Sequence, residues 1–134
     1  MGFDQYHEPP EELDDETRTF ARLCASLTEE AEAIGWYQQR LAVERDPDAS
    51  AIMADAQGEE FKHFSMDLEF LLRRSERWRE IARGVLFVEG DIVDHGEEAE
   101  AESADESGGG ASGGSESGGA DGSLGIGSLR GRVG

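Results

Sequence analysis

Two long segments of helical periodicity, separated by one proline, constrain the fold more than any other feature of this sequence. The first runs from about Asp15 to Val43, and its large apolar residues recur at steps of three and four with one interruption after Leu27: Phe20, Leu23, Leu27, Ile34, Tyr37 and Leu41. This spacing predicts an amphipathic helix. Pro47, with an aspartate on each side, ends the pattern because proline lacks a backbone donor and aspartate favours turns and caps. Such a short turn predicts an antiparallel hairpin.

The second segment, from about Pro47 to Arg74, carries its apolar residues on two arcs. One arc contains Met53, Phe61, Phe64, Leu68, Leu71 and Leu72, and the other contains Ile52, Met66 and Phe70. A strip between the arcs contains Ala56, Glu60, His63 and Asp67. A single partner helix cannot cover both arcs, so we expect two hairpins to dimerise into a four-helix bundle.

A third, shorter amphipathic segment is predicted from residue 75 to about residue 88, with Ser75 as its cap. No alternating strand pattern of useful length accompanies these segments. The predicted fold is therefore all-α: an antiparallel two-helix hairpin plus a short third helix. Residues 1–96 form this helical domain in the prediction, and residues 97–120, acidic and rich in Gly and Ser, are expected to be a disordered linker.

A carboxylate interrupts the apolar stripe of the first segment. Glu30 lies between Leu27 and Ile34, where a helix seam ordinarily takes an apolar residue. In the second segment, Glu60 and His63 are three residues apart and therefore lie on one helix face. Carboxylate-bridged di-iron sites in four-helix bundles use a Glu from each of two helices and a Glu-x-x-His from each of the other two. This chain carries half of that set, which a two-fold axis would complete.

The donor types favour a divalent cation without selecting it. Facing glutamates repel one another in a poorly solvated interior, and cations would neutralise them. Oxygen and imidazole ligands suit Fe(II), but they also accept Mn, Co or Zn. A lone Glu-x-x-His is most often an ordinary surface pair, and Glu30 could instead lie at a solvated edge of the seam.

The other side chains that could carry chemistry also have ordinary structural interpretations. Glu29, Glu32 and Glu59 are typical of solvated helix charges, whereas Cys24, Trp36 and Tyr37 are typical of packing residues. His7 and His95 fall in segments that we expect to be terminal, so they are interpreted as incidental.

The charge balance limits the classes of partner. The formal net charge is −19, of which residues 1–96 contribute about −13 and the remainder about −6. A surface of this sign repels nucleic acid and anionic lipid and concentrates cations. The chain has one cysteine, no apolar run long enough to cross a bilayer and no signal-peptide pattern. We therefore expect a cytoplasmic protein without an intrachain disulfide.

Three separated stretches resemble the encapsulated ferritins, which are cargo proteins of encapsulin shells. The stretches are TEEAEAIGWYQQR at residues 28–40, EEFKHFSMDLEFL at residues 59–71, and DGSLGIGSLRGR, which begins with Asp121 and ends with Arg132. The last stretch looks like an encapsulin-targeting peptide, so residues 121–134 are assigned that role. Its isolated apolar residues, Leu124, Ile126 and Leu129, are also typical of a short segment that docks into surface pockets.

The resemblance implies a ferroxidase that oxidises Fe(II) to Fe(III). It implies that Glu30, Glu60 and His63 are the ligands of a di-iron centre shared by two subunits, with Tyr37 adjacent as a further catalytic residue. It also implies that Glu29, Glu32 and Trp36 form an entrance that attracts ions. Members of the family assemble as ring-shaped decamers of five dimers and store no mineral themselves, so the shell would hold the iron inside an encapsulin nanocompartment.

Two alternatives remain open. A rubrerythrin-like peroxidase would use the same ligands but would reduce peroxide faster than it stores iron. A non-catalytic helical adaptor would use the same hairpin and C-terminal segment without accelerating the oxidation of iron.

Overall fold

Four α-helices make up most of the part of the chain that the structure describes. The computed structural model describes residues 5–108, apart from the side chain of Ser107. A short 3-10 turn at Pro10–Glu12 is followed by α1 (Asp15–Val43), α2 (Pro47–Arg74), α3 (Glu76–Val85) and α4 (Ile92–Ser107). These residues contain no strand, so the all-α prediction is confirmed.

Each of the four α-helices begins at a side-chain cap. The side chains of Asp14, Asp46 and Asp91 accept backbone N–H groups at the starts of α1, α2 and α4. Ser75 accepts the N–H of Trp78 at the start of α3, which confirms the predicted cap. Caps of this kind contribute about 0.5–2 kcal/mol each, so the helix starts are fixed locally by the sequence.

Helices α1 and α2 form the predicted antiparallel hairpin. Gln57, in the first half of α2, hydrogen-bonds Gln38 near the end of α1. Phe70, near the end of α2, lines the same cavity as Phe20 near the start of α1. Early residues of one helix therefore face late residues of the other, as a connection of three residues requires.

The hairpin leaves much of its apolar surface uncovered. Among the described residues, the buried apolar side chains are Ala25, Leu71, Leu72, Ala82 and Ala99. Large side chains on α1 and α2 are between 51% and 76% exposed: Trp36, Val43, Ile52, Phe61 and Met66. Ile52 and Met66 belong to the second predicted arc of α2, so these two members of the arc are uncovered within the protomer, whereas its third member, Phe70, is half-buried.

Helix α3 packs against both the hairpin and α4. The ring of Trp78 on α3 lies 6.4 Å from that of Phe20 on α1, measured between centroids. On its other side, α3 approaches α4 so closely that a Cβ on Gly84 would lie 2.5 Å from the Cβ of Ala99. Glycine at this position therefore permits the contact between the two helices.

The turn between α3 and α4 corrects the predicted end of the third helix. Helix α3 ends at Val85 rather than near residue 88. Phe87 adopts a positive φ of 62°, which a continuous helix does not allow. His95 then bonds back to the turn, with its Nε2 2.8 Å from the carbonyl oxygen of Glu89.

The prediction of a disordered linker from residue 97 is wrong for its first part, because α4 extends through Ser107. Alanine and glutamate, which dominate this stretch, are strong helix formers, and Ala99 and Ser103 are buried. The helix is stabilised by these contacts despite its low apolar content. The rest of the predicted linker and the segment at 121–134 lie outside the described residues.

None of the helices between residues 5 and 108 combines the length and the apolar character that crossing a bilayer requires.

Candidate metal centre

Helices α1 and α2 bring together the three residues that the sequence predicts as metal ligands. Glu30 comes from α1, whereas Glu60 and His63 come from successive turns of α2. One potential ligand atom from each side chain lies within 4.8 Å of the other two. On α2, Nδ1 of His63 is 3.7 Å from Oε2 of Glu60.

This cluster lies at an open edge of the helix pair. The side chain of Glu60 is 22% exposed and that of His63 is 47% exposed. Oxygen and nitrogen ligands lie about 2.0–2.2 Å from a small divalent cation, hence about 3–4 Å from one another. Small side-chain rotations would therefore bring the potential ligand atoms of this cluster to metal-binding distances. Two carboxylates and one imidazole fit a divalent cation, and they leave further coordination positions open to solvent or to another chain.

The two carboxylates strongly affect each other. The pKa of Glu30 is raised from 4.5 to about 7. The largest cause is a hydrogen bond with Glu60, followed by desolvation and by the negative charge of Glu60. The positive charge of a protonated His63 would act in the opposite direction. Near neutral pH, Glu30 thus keeps part of its proton in the place where a cation would relieve the same repulsion.

Asp67, which is not among the ligands predicted from the sequence, is a fourth titratable residue beside this cluster. It lies one turn beyond His63 on α2, and its charge also raises the pKa of Glu30. Its Oδ2 atom is buried without a hydrogen-bond partner among the described residues. The signal in the sequence was its place on the same strip as Glu60 and His63, at helical spacing.

The other predicted site residues lie outside the three-residue cluster. Tyr37 is half-buried two turns beyond Glu30, and the guanidinium of Arg40 lies 5.3 Å from its ring centroid. Glu29 and Glu32 are exposed, and Trp36 is 55% exposed. The solvated positions of Glu29, Glu32 and Trp36 fit either an ordinary protein surface or an ion entrance.

The remaining candidates have ordinary surroundings. Glu59 is exposed and pairs with Lys62, which lowers the pKa of Glu59. Cys24 is half-buried, and burial raises the pKa of its thiol. His7 is exposed. His95 lies inside α4, not in a terminus as predicted, and bonds the α3–α4 turn.

Comparisons with known proteins identify relatives along most of the chain. The model of the EncFtn-like family matches residues 5–89. An encapsulated ferritin-like protein of Rhodospirillum rubrum is 45% identical over 127 residues, which cover 95% of this chain and 89% of that protein. A ferritin-like protein of Thermotoga maritima is 40% identical over 100 residues, which cover 75% of this chain and 88% of that protein.

A solved structure resembles the helical part of the chain. A crystal structure of a protein from Nitrosomonas europaea superposes with a TM-score of 0.64 at 38% identity, covering 66% of this chain and 98% of that one. The family match includes α1, α2 and α3, and therefore Glu30, Glu60 and His63. The chain belongs to the EncFtn-like family, the encapsulated ferritin-like proteins.

Proposed function

We propose that the protein is a ferroxidase that oxidises Fe(II) to Fe(III) at a di-iron site completed by two copies of the chain. The observation that carries this proposal is the convergence of Glu30, Glu60 and His63 at an open edge of the α1–α2 hairpin. Their donor atoms match half of a carboxylate-bridged di-iron site. Membership of the EncFtn-like family supports iron rather than another divalent cation as the substrate.

The second copy is proposed because one protomer is incomplete in two respects. It offers two carboxylates and one imidazole, too few to surround two metal ions. It also leaves Ile52 and Met66 exposed on α2. A two-fold axis at this edge would cover apolar surface and supply four carboxylates and two imidazoles in one operation.

The protein residues contribute charge and position. The carboxylates of Glu30 and Glu60 would release their shared proton and neutralise the incoming Fe(II) substrate, and a neutral His63 would supply a nitrogen ligand. Two Fe(II) ions together yield two electrons. With two protons, these electrons reduce one dioxygen to hydrogen peroxide, or one hydrogen peroxide to two waters. Holding both ions in one site allows both electrons to reach a single oxidant.

We assign supporting roles to four further residues. Tyr37, on the face of α1 that carries Glu30, would act beside the centre as an additional catalytic residue. Glu29, Glu32 and Trp36 would form the entrance, where exposed carboxylates concentrate cations before they reach the ligands. Both assignments follow the family resemblance of residues 28–40.

The Fe(III) product would be stored as mineral outside the helical domain. The relative in Rhodospirillum rubrum is named an encapsulated protein, and the stretch from Asp121 to Arg132 resembles an encapsulin-targeting peptide. We propose that this chain forms rings of ten subunits and is carried in the cytoplasm inside an encapsulin shell, which retains the ferric iron.

The test compares two neighbouring glutamates. Fe(II) is added anaerobically to the wild type, to Glu60→Gln and to Glu59→Gln, native mass and bound iron are measured, and oxygen is then admitted. Glu59 is a matched control, because it precedes Glu60 directly but is exposed and paired with Lys62. We expect two irons per pair of chains and rapid oxidation in the wild type and Glu59→Gln, and neither in Glu60→Gln.

Other outcomes select the alternatives. Oxidation no faster than in protein-free buffer would identify a non-catalytic adaptor. Consumption of peroxide faster than retention of iron would identify a rubrerythrin-like peroxidase. Full iron binding by isolated protomers would contradict the shared site.

A further inference from the structure

Gln57 is a buried polar residue in the middle of the helix pair. It lies on α2 and is only 8% exposed. Its amide nitrogen Nε2 donates to two acceptors on α1: the backbone carbonyl of Ile34 at 3.2 Å and Oε1 of Gln38 at 3.0 Å. Both amide hydrogens are thus used across the helix interface, which offsets the cost of burying them.

Within residues 5–108, hydrogen bonds join α1 to α2 at two places: at Gln57, with its two bonds, and at the proton that Glu30 and Glu60 can share. The apolar contacts between the helices are non-directional. Hydrogen bonds depend steeply on distance and angle, so Gln57 restricts the sliding of α1 along α2 more than the apolar contacts do.

The bonds lie within about one turn of the metal ligands on both helices. Ile34 follows Glu30 by four residues on α1, and Gln57 precedes Glu60 by three residues on α2. A slide of one helix past the other by a single residue moves its side chains by about 1.5 Å. Such a slide would break both bonds of Gln57 and would separate Glu30 from Glu60 by an amount comparable to a metal–ligand bond length.

We propose that Gln57 is a positioning residue of the metal centre, which fixes α1 against α2 so that Glu30 and Glu60 lie at a common ligating distance. Gln38 assists as its side-chain acceptor. Gln57 does not touch the metal, and it acts only through the carboxylates on either side of the seam. This inference rests on the proposed function, because Gln57 is proposed to align α1 and α2 at the proposed metal site.

The experiment uses Co(II), which the same ligands accept and whose visible absorption reports the coordination geometry. The variant Gln57→Met keeps the length and helix propensity of the side chain but removes its donor. Asp14→Ala is the stability control, because it removes the cap of α1 far from the centre. Co(II) affinity, Co(II) absorption and thermal unfolding are measured on the full chain for the wild type and for each variant.

We expect Gln57→Met to lower Co(II) affinity about 10–100-fold and to change the absorption spectrum, as loss of a residue that orients ligands does. Asp14→Ala should unfold at a lower temperature yet bind Co(II) with the wild-type spectrum. Gln38→Met removes only one of the two acceptors, at an exposed residue, so we expect the variant to fold and to lose about fivefold in Co(II) affinity. It serves as the test if Gln57→Met does not fold.

Three results would overturn the inference. Wild-type affinity and spectrum in both Gln57→Met and Gln38→Met would mean that the bonds only add stability. Equal losses of affinity in Gln57→Met and Asp14→Ala would mean that any destabilisation disturbs the site. If the wild type itself binds no Co(II), or if Glu60→Gln binds it equally well, the proposed function fails and the positioning role fails with it.

Discussion

Glu30 and Glu60, on opposite helices of the hairpin, lie close enough for one proton to be held between them. Their hydrogen bond is the largest cause of the rise in the pKa of Glu30 from 4.5 to about 7. The two carboxylates are thus held against their mutual repulsion by the packing of α1 on α2. Carboxylate pairs with a strongly perturbed pKa are typical of functional sites, and this relationship makes the pair testable without any assay of iron oxidation.

The first prediction concerns pH. Glu30 in the unfolded chain loses its proton near pH 4.5, whereas in the folded chain it keeps the proton until about pH 7. The folded state therefore binds more protons in this window, and the contribution of Glu30 to the free energy of unfolding falls as pH rises from about 4.5 to 7. We expect the metal-free wild type to unfold at a lower urea concentration at pH 8 than at pH 5.

The variant Glu30→Gln supplies the control, because glutamine has nearly the same shape as glutamate but no ionisable group. Its urea midpoint should change less between the two pH values than that of the wild type. An identical pH dependence in both proteins would show that the carboxylate pair does not control stability in this range.

Asp67 gives the second prediction. Its charge raises the pKa of Glu30, and its Oδ2 is buried without a hydrogen-bond partner among residues 5–108. Asp67→Asn removes one negative charge beside the cluster, so the pKa of Glu30 should fall and Co(II) affinity should fall about fivefold, or about 1 kcal/mol. Isothermal titration at pH 7.5 measures the affinity. Unchanged affinity would place Asp67 outside the electrostatic field of the site.

The sequence predicts the hairpin and the ligand cluster because both depend on local periodicity. Glu30 was recognisable as a charged residue in an apolar stripe, and Glu60 and His63 as neighbours on one helix face. Helix α4 was missed because its stability depends on a distant contact, in which Ala99 packs against Gly84. Gln57 was missed for a related reason: nothing in a single sequence distinguishes a buried glutamine from a solvated one.

The third prediction tests the proposed two-fold interface. Ile52 is 71% exposed in the protomer, so Ile52→Lys should not disturb the folding of the hairpin. A lysine buried between two copies would be strongly unfavourable, and native mass should shift from dimers or larger rings to monomers. Glu69→Lys is the control, since Glu69 is exposed and its ion pair with Arg73 contributes little stability. If Ile52→Lys assembles as the wild type does, this flank of α2 lies outside the interface.

The fourth prediction compares two glycines inside helices. A Cβ added to Gly58 on α2 meets nothing within 4 Å, whereas a Cβ added to Gly84 on α3 would lie 2.5 Å from the Cβ of Ala99 on α4. Gly58→Ala should therefore stabilise the protein by about 0.4–1 kcal/mol, because alanine restricts the unfolded chain and favours the helix. Gly84→Ala gains the same helical preference but must push α3 and α4 apart, at a cost of about 1–3 kcal/mol.

Urea denaturation followed by far-ultraviolet circular dichroism measures both changes on the full chain. We expect a higher midpoint for Gly58→Ala and a lower one for Gly84→Ala than for the wild type. The contrast reports on the close approach of α3 and α4, because the chemical change is the same and both glycines lie within helices. A rise in midpoint for both variants would mean that α4 does not pack on α3 in solution. The chain after Val85 would then be free of the helical domain.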